Sequence, residues 1–273
     1  MAIQFAVYTI QFAVYTIQFA VYMIQFAVYT IQFADDTKHD TVCSLHNTVC
    51  RLHDTRKMVL TLYGLEGSPP VRAVLMVIEK LNIPDVEFIQ VDLLKQEHKS
   101  ESFLKMNPHH TIPTLKDDDF VIWDSHAITA YLVSKYGKDK SLYPTEPKQR
   151  AIIDQRLHFD SGTLFPVLLE TIKPIFYNER TSFNPETLVK ISNVYELTEK
   201  ILNSTWLAGD NLTLADICCY ATISTLNIAL PINSEVSPKL SAWTKRCSQL
   251  DFVKKANLPG LTMLDELVKS KLA

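Results

Sequence analysis

Tyr63-Gly64-Leu65-Glu66-Gly67-Ser68-Pro69-Pro70-Val71-Arg72 is the stretch on which the reading of this chain turns. Upstream, Val59-Leu60-Thr61-Leu62-Tyr63 is a short β-branched and apolar run, the pattern of a buried strand. Downstream, Val71, Val74, Leu75, Val77 and Ile78 recur at helical spacing, which predicts a helix from about Pro69 to Leu81. The two glycines are expected to make the turn, with Ser68 at the N-cap and Pro69 at the first helical position. A hydroxyl at such a junction, beside free helix N–H groups, can hold a developing anion. Taken alone, the stretch favours a Ser68 that only caps its helix.

Further along, Val86-Glu87-Phe88-Ile89-Gln90-Val91 alternates as a strand, and a short helix is expected around Glu101 to Met106. Asn107 to Leu115 turns into a third strand, Asp117-Asp118-Asp119 forms a hairpin tip, and Phe120-Val121-Ile122-Trp123 returns. Asp124-Ser125-His126 opens a helix carrying Ile128, Tyr131, Leu132 and Tyr136. This order, βαβαββα, describes a small mixed sheet with helices on both faces, the thioredoxin-like arrangement. Tyr143-Pro144-Thr145-Glu146-Pro147 reads as a linker, after which long amphipathic segments replace the strand pattern. One is expected from Lys148 to Tyr177, bent or broken by Pro166 and Pro174, and a second from Pro185 to Leu202. Thr213 and Asp216 stand at capping-box spacing before a helix apolar almost all round, the expected centre of this half. Shorter helices follow near Leu240–Leu250 and Leu261–Leu272. The fold class is therefore α/β plus all-α.

Residues 3–34 repeat the heptad Ile-Gln-Phe-Ala-Val-Tyr-Thr, with Met23 in place of one Thr, and carry no charge. Gln every seventh residue and the absence of a basic flank argue against a membrane span or a signal peptide. The β-branched and aromatic content argues against a coiled coil. A second seven-residue repeat, His39-Asp40-Thr41-Val42-Cys43-Ser44-Leu45 and its copies, alternates Cys and His without the spacing of a zinc finger. Two unrelated repeats of one period point to translated tandem nucleotide repeats. The expectation is a tandem-repeat extension over residues 1–57, disordered or a gene-model artefact, and a native protein that begins at or near Met58. Residues 58–144 then form the α/β domain and 145–273 the helical domain, together long enough for a full core.

The formal net charge is −3, and no basic stripe marks a nucleic-acid partner. Cys218, Cys219 and Cys247 are the only cysteines after Met58, too few for a disulfide framework and suited to a reducing, cytoplasmic compartment. No transmembrane segment is expected after residue 58, and no metal.

Three elements in order, Ser-Pro-Pro-x-Arg at 68–72, Asn-Pro-x-His-Thr-Ile-Pro-Thr-Leu at 107–115 and Asp-Ser-His-Ala-Ile at 124–128, resemble the insect cytosolic glutathione transferases. The epsilon class is most similar and delta a near neighbour, with the likeness running from Met58 to Ala273. The resemblance implies an N-terminal thioredoxin-like domain that binds glutathione and an all-helical C-terminal domain that binds a hydrophobic substrate. It places Ser68 as the catalytic residue, donating a hydrogen bond to the glutathione sulfur. Such a bond favours the charged form, so thiolate accumulates near neutral pH. Tyr63 is a rival hydroxyl, expected instead to pack within its strand.

By the same resemblance Pro113 is a cis-proline that presents the backbone of Ile112 to the cysteinyl part of glutathione. Asp124 and Ser125 hold the γ-glutamyl end, with the ammonium for Asp124 and the carboxylate for the helix start at Ser125. His98 and His110 approach the glycyl carboxylate; His109, His126 and Arg72 are expected to be structural, Arg72 as an ion-pair partner. Phe165, Leu168, Ile172 and Phe176, with Pro69 and Ile112 opposite, are expected to line the hydrophobic-substrate cleft, some of them as plain core. Leu168, Leu169 and Glu170 stand where some epsilon enzymes carry a basic residue.

The function expected is conjugation of glutathione to hydrophobic electrophiles for detoxification, with dehydrochlorination of insecticides or handling of lipid peroxidation products as variants. A glutathione-dependent carrier of steroids or other hydrophobic ligands is the alternative. A homodimer is implied by the resemblance.

Overall fold

The computed structural model describes residues 60–138 and 140–272, and the repeats expected over residues 1–57 lie outside them. Four strands, β1 (Leu60–Gly64), β2 (Val86–Gln90), β3 (Thr114–Asp117) and β4 (Phe120–Trp123), form one sheet in the order β2-β1-β3-β4. β1 and β2 are parallel and the other pairs antiparallel, with Leu62 opposite both Phe88 and Leu115. Leu60, Leu62 and Leu115 are buried because helices cover the central strands. This is a thioredoxin-like sheet, and it is followed by helices alone.

α1 (Pro69–Leu81) leaves β1 and packs against both α3 (Ser125–Tyr136) and α7 (Leu214–Ala229). Being covered on two sides, it buries Arg72, Ala73 and Met76 as well as the predicted Val71, Val74 and Val77. Neither turn glycine has a positive φ. Gly64 is needed for space instead, since a Cβ there would stand 2.8 Å from a Val71 methyl. The short α2 (Glu101–Met106) lies between β2 and β3.

Asp117 is not part of the hairpin tip. It ends β3 fully buried and accepts hydrogen bonds from Tyr131 (2.6 Å), Tyr136 (3.1 Å) and Lys135 (2.5 Å), which tie the hairpin to α3. Burial raises its pKa, but the Lys135, Tyr131 and Tyr136 donors overcome that and hold the carboxyl below its usual range.

Arg150 fixes the linker, donating to Pro144 O (2.7 Å) and Tyr143 O (3.0 Å) and stacking 3.9 Å over the Tyr143 ring. The segment predicted as one helix from Lys148 to Tyr177 is α4 (Pro147–Phe159) and α5 (Phe165–Phe176), joined by a wide π-type turn at Asp160–Leu164. The break therefore precedes Pro166, which sits in the first turn of α5 where a missing N–H costs little. Pro174 lies inside α5, and the helix ends two residues later. α6 (Pro185–Ile201) follows, then α7, buried throughout from Leu214 to Leu226. The last stretch is α8 (Pro238–Gln249), α9 (Asp251–Ala256) and α10 (Leu258–Lys271), of which α9 is an addition to the sequence reading.

Among the described residues Arg72 has no ion-pair partner, contrary to expectation. Its guanidinium, 0% exposed, bonds the neutral acceptors Asn257 Oδ1, Thr225 Oγ1 and, at 3.3 Å, Ala221 O. Desolvation pushes its pKa down to about 9. Arg72 thus ties α1 to α7 and to the start of α10. Close by, Gly260 of α10 presses on the loop before Ser68: a Cβ there would stand 2.8 Å from the Glu66 carbonyl carbon. Gly260→Ala is expected to cost about 1–3 kcal/mol, the range for overpacking. Urea unfolding measures it, and an unchanged midpoint would mean that loop and helix part without cost.

Candidate functional site

Ser68 stands at the junction of two lobes of one cleft. Its backbone is committed: the N–H donates to Leu65 O (2.8 Å), and its carbonyl accepts from Arg72 N (3.0 Å). Its hydroxyl makes no capping bond. An N-cap serine bonds the N–H of the second or third helical residue, and here the first two are Pro69 and Pro70. Neither proline has an N–H, so the helix start offers fewer donors than a bare helix N-terminus would. The Ser68 hydroxyl is left free toward the cleft. Tyr63, by contrast, packs edge-on against Phe103 at 6.2 Å.

The polar lobe, about 390 Å³, is lined by His98, His109, His110, Thr111, Ile112, Pro113, Asp124, Ser125 and His126. The Ile112–Pro113 peptide is cis. Asp124 has φ 74° and ψ 121°, a conformation costly for a non-glycine residue and held here by capping. Its Oδ1 accepts from His126 N (2.9 Å) and Ala127 N (3.1 Å). Two of the free N–H groups expected at this helix start are therefore already used, leaving that of Ser125. The rings of His98 and His110 lie 6.2 Å apart, with His109 6.3 Å from His110. Burial, then the Lys99 and His110 charges, hold the His98 pKa below its ordinary value. Its Nδ1 is buried and has no partner among the described residues.

His126 does more than fill space. Its Nε2 lies 2.9 Å from Asp160 Oδ2, and both residues line the polar lobe. Burial lowers the His126 pKa, but the hydrogen bond and charge of Asp160 outweigh it and hold the ring above its ordinary value. Asp160 stands where α4 gives way to the π-type turn, 34 residues from His126 in sequence, so the reading of one segment bent or broken by Pro166 and Pro174 gave no signal for the pair.

The apolar lobe, about 440 Å³, brings Pro69, Phe165, Leu168, Ile172 and Phe176 together, and all the predicted α5 residues line it. Ile112 does not join them: it lines the polar lobe. The sequence reading missed the far wall, Met263, Leu264 and Leu267 of α10, and also Tyr177 and Lys173 on or just after α5. The amphipathic pattern of α10 was legible, but not which element its apolar face would meet.

Cys218, Cys219 and Cys247 are buried free thiols whose pKa values burial pushes up, as expected of packed side chains. Among the described residues no group of three or more His, Cys, Asp or Glu side chains is arranged to hold a metal, and no helix is long and apolar enough to cross a membrane.

Comparison with known proteins matches residues 62–141 to the glutathione S-transferase N-terminal domain and 163–251 to the glutathione S-transferase C-terminal domain. Glutathione S-transferase 1 of Manduca sexta is 61% identical over 217 residues, 79% of this chain and 100% of the relative. An epsilon-class glutathione S-transferase structure from the housefly, Musca domestica, superposes with TM-score 0.75 at 45% identity, covering 78% of this chain and 98% of that one. A glutathione transferase homologue from Drosophila mojavensis, solved with bound glutathione, gives TM-score 0.74 at 40% identity, covering 79% and 98%.

Proposed function

The chain belongs to the glutathione S-transferase family, and on that premise we propose that it conjugates reduced glutathione to hydrophobic electrophiles through a thiolate held by the Ser68 hydroxyl. One observation carries the reading: a serine hydroxyl with no capping role, where a polar lobe meets an apolar one. Glutathione would lie in the polar lobe. Its γ-glutamyl end would meet Asp124 and Ser125, its cysteinyl backbone Ile112 beside Pro113, and its glycyl carboxylate His98 and His110. Its sulfur then reaches Ser68 with the electrophile in the apolar lobe.

The nucleophile is the cofactor's sulfur, and the protein's part is to stabilise its charge. A hydrogen bond to a charged group is worth about 1.5–3 kcal/mol, or roughly one to two pKa units on the bound thiol. The same thiolate acting as a base would eliminate HCl from a chlorinated insecticide. We place the protein in the epsilon class, as a cytoplasmic homodimer whose residues 58–144 bind glutathione and 145–273 the second substrate. Likeness to the housefly epsilon-class enzyme supports the class.

The test is turnover of 1-chloro-2,4-dinitrobenzene with glutathione by the purified chain, with its mass in solution read by light scattering. Conjugation by a particle of twice the chain mass is expected. Glutathione binding without turnover would give the protein over to the carrier reading.

A further inference from the structure

The apolar lobe contains one charge with nothing to hold. Among the described residues Lys173 is the only cation lining it, and its ammonium makes neither a hydrogen bond nor an ion pair there. Asp92 is the only acid among the described residues that line the lobe, and it is committed. It accepts from Leu94 N (2.9 Å) and Lys95 N (3.1 Å) and pairs with Lys95 Nζ at 3.1 Å. Glu170, three residues before Lys173 on α5, pairs with Lys190.

A lysine in the last turn of a helix often does no more than complement the helix dipole. Here another lysine serves that end, since Lys271 Nζ donates to Phe176 O at 2.5 Å. Lys173 is left exposed beside an apolar wall, with its stem available to pack and its ammonium at the solvent side.

Phe165, Leu169 and Tyr177 line both lobes, whereas Lys173, between Leu169 and Tyr177 in sequence, lines only the apolar one. A molecule in the apolar lobe therefore meets apolar side chains along its body and an ammonium at the exposed edge of that wall.

We propose that the apolar lobe selects electrophiles that end in a carboxylate, with Lys173 receiving that group. This rests on the transferase reading for its chemistry but not for its binding. For an enone substrate the glutathione sulfur bonds to the β-carbon and the π pair moves onto the carbonyl as an enolate. A solvent proton ends on the α-carbon, and nothing leaves.

The test uses the full chain and a matched pair with the same enone, ethacrynic acid and its methyl ester. The ratio of kcat/KM for acid over ester is expected to fall about fivefold in Lys173→Gln, the upper end for an exposed ion pair, chiefly through KM of the acid. Lys173→Arg should restore it. An equal ratio in wild type and Lys173→Gln overturns the proposal. Calorimetry with decanoate against decanamide reads the same contact without turnover. Decanoate binding that weakens about fivefold in Lys173→Gln, with neither enone consumed, would remove the transferase reading and keep the anion site. Indifference of decanoate to Lys173 removes the site.

Discussion

In Ser68→Ala, kcat/KM for conjugation near neutral pH is expected to fall about ten- to a hundredfold, the rate equivalent of a charge-assisted hydrogen bond. Size is the weaker part of this prediction, because many substitutions near a cleft slow an enzyme. The pH profile is the stronger part. On the proposed mechanism the thiol bound to the wild type should ionise below its ordinary value, so the rate should reach its plateau at lower pH. Without the hydroxyl the plateau should move up by roughly one to two units, and the deficit should shrink as alkaline pH makes thiolate unaided. Glutathione KM should change little, since the other contacts remain. A variant that lost rate equally at every pH would mean that Ser68 shapes the site without stabilising the thiolate.

Asp216→Ala should produce the largest loss of stability. The carboxylate is 1% exposed and accepts from Leu207 N (2.8 Å), Trp243 Nε1 (2.9 Å), Thr213 N (2.9 Å) and Thr213 Oγ1 (3.2 Å). It therefore caps α7, anchors the loop before it and holds the indole of α8. Burial raises its pKa, and the four donors pull it only part of the way back. Removing the carboxylate leaves buried donors without an acceptor, at about 1–3 kcal/mol each and not additively. A total of about 3–5 kcal/mol is expected, or roughly 10 °C in Tm for a unit of this size. Asp216→Asn keeps the shape and one acceptor oxygen and should lose less. Thermal unfolding of both variants decides it, and a shift of Asp216→Ala under about 2 °C would show that the donors find water or other partners.

Local patterns made the sheet, α1, α3 and the capping box legible, because each is written within a few residues. The set of Phe165, Leu168, Ile172 and Phe176 came from the family resemblance, and these side chains line the apolar lobe. What sequence left hidden is non-local. The acceptors of Arg72 lie 149 to 185 residues away, and no pattern around an arginine announces neutral partners. Lys173 reads as an ordinary solvated residue until α10 builds the opposite wall. Asp160 stands where α4 gives way to the π-type turn and meets His126 from 34 residues earlier, so nothing local announces the pair. The free hydroxyl of Ser68 was only half legible, since Pro70 removes the donor at the second helical position but the Val71 N–H at the third remains, and only the folded geometry shows that it is not used.

Chains are made from the N-terminus, and domains generally fold as they emerge. The α/β half is synthesised first, yet Arg72 in its first helix finds no acceptor until residues 221, 225 and 257 have been added. The loop of Ser68 likewise lacks its backing until Gly260 has been added. A nascent chain with a complete sheet therefore still carries an unpaired guanidinium on the side where the helices will dock. That leaves the incomplete product polar on that face. Completion of the cleft therefore waits for α10.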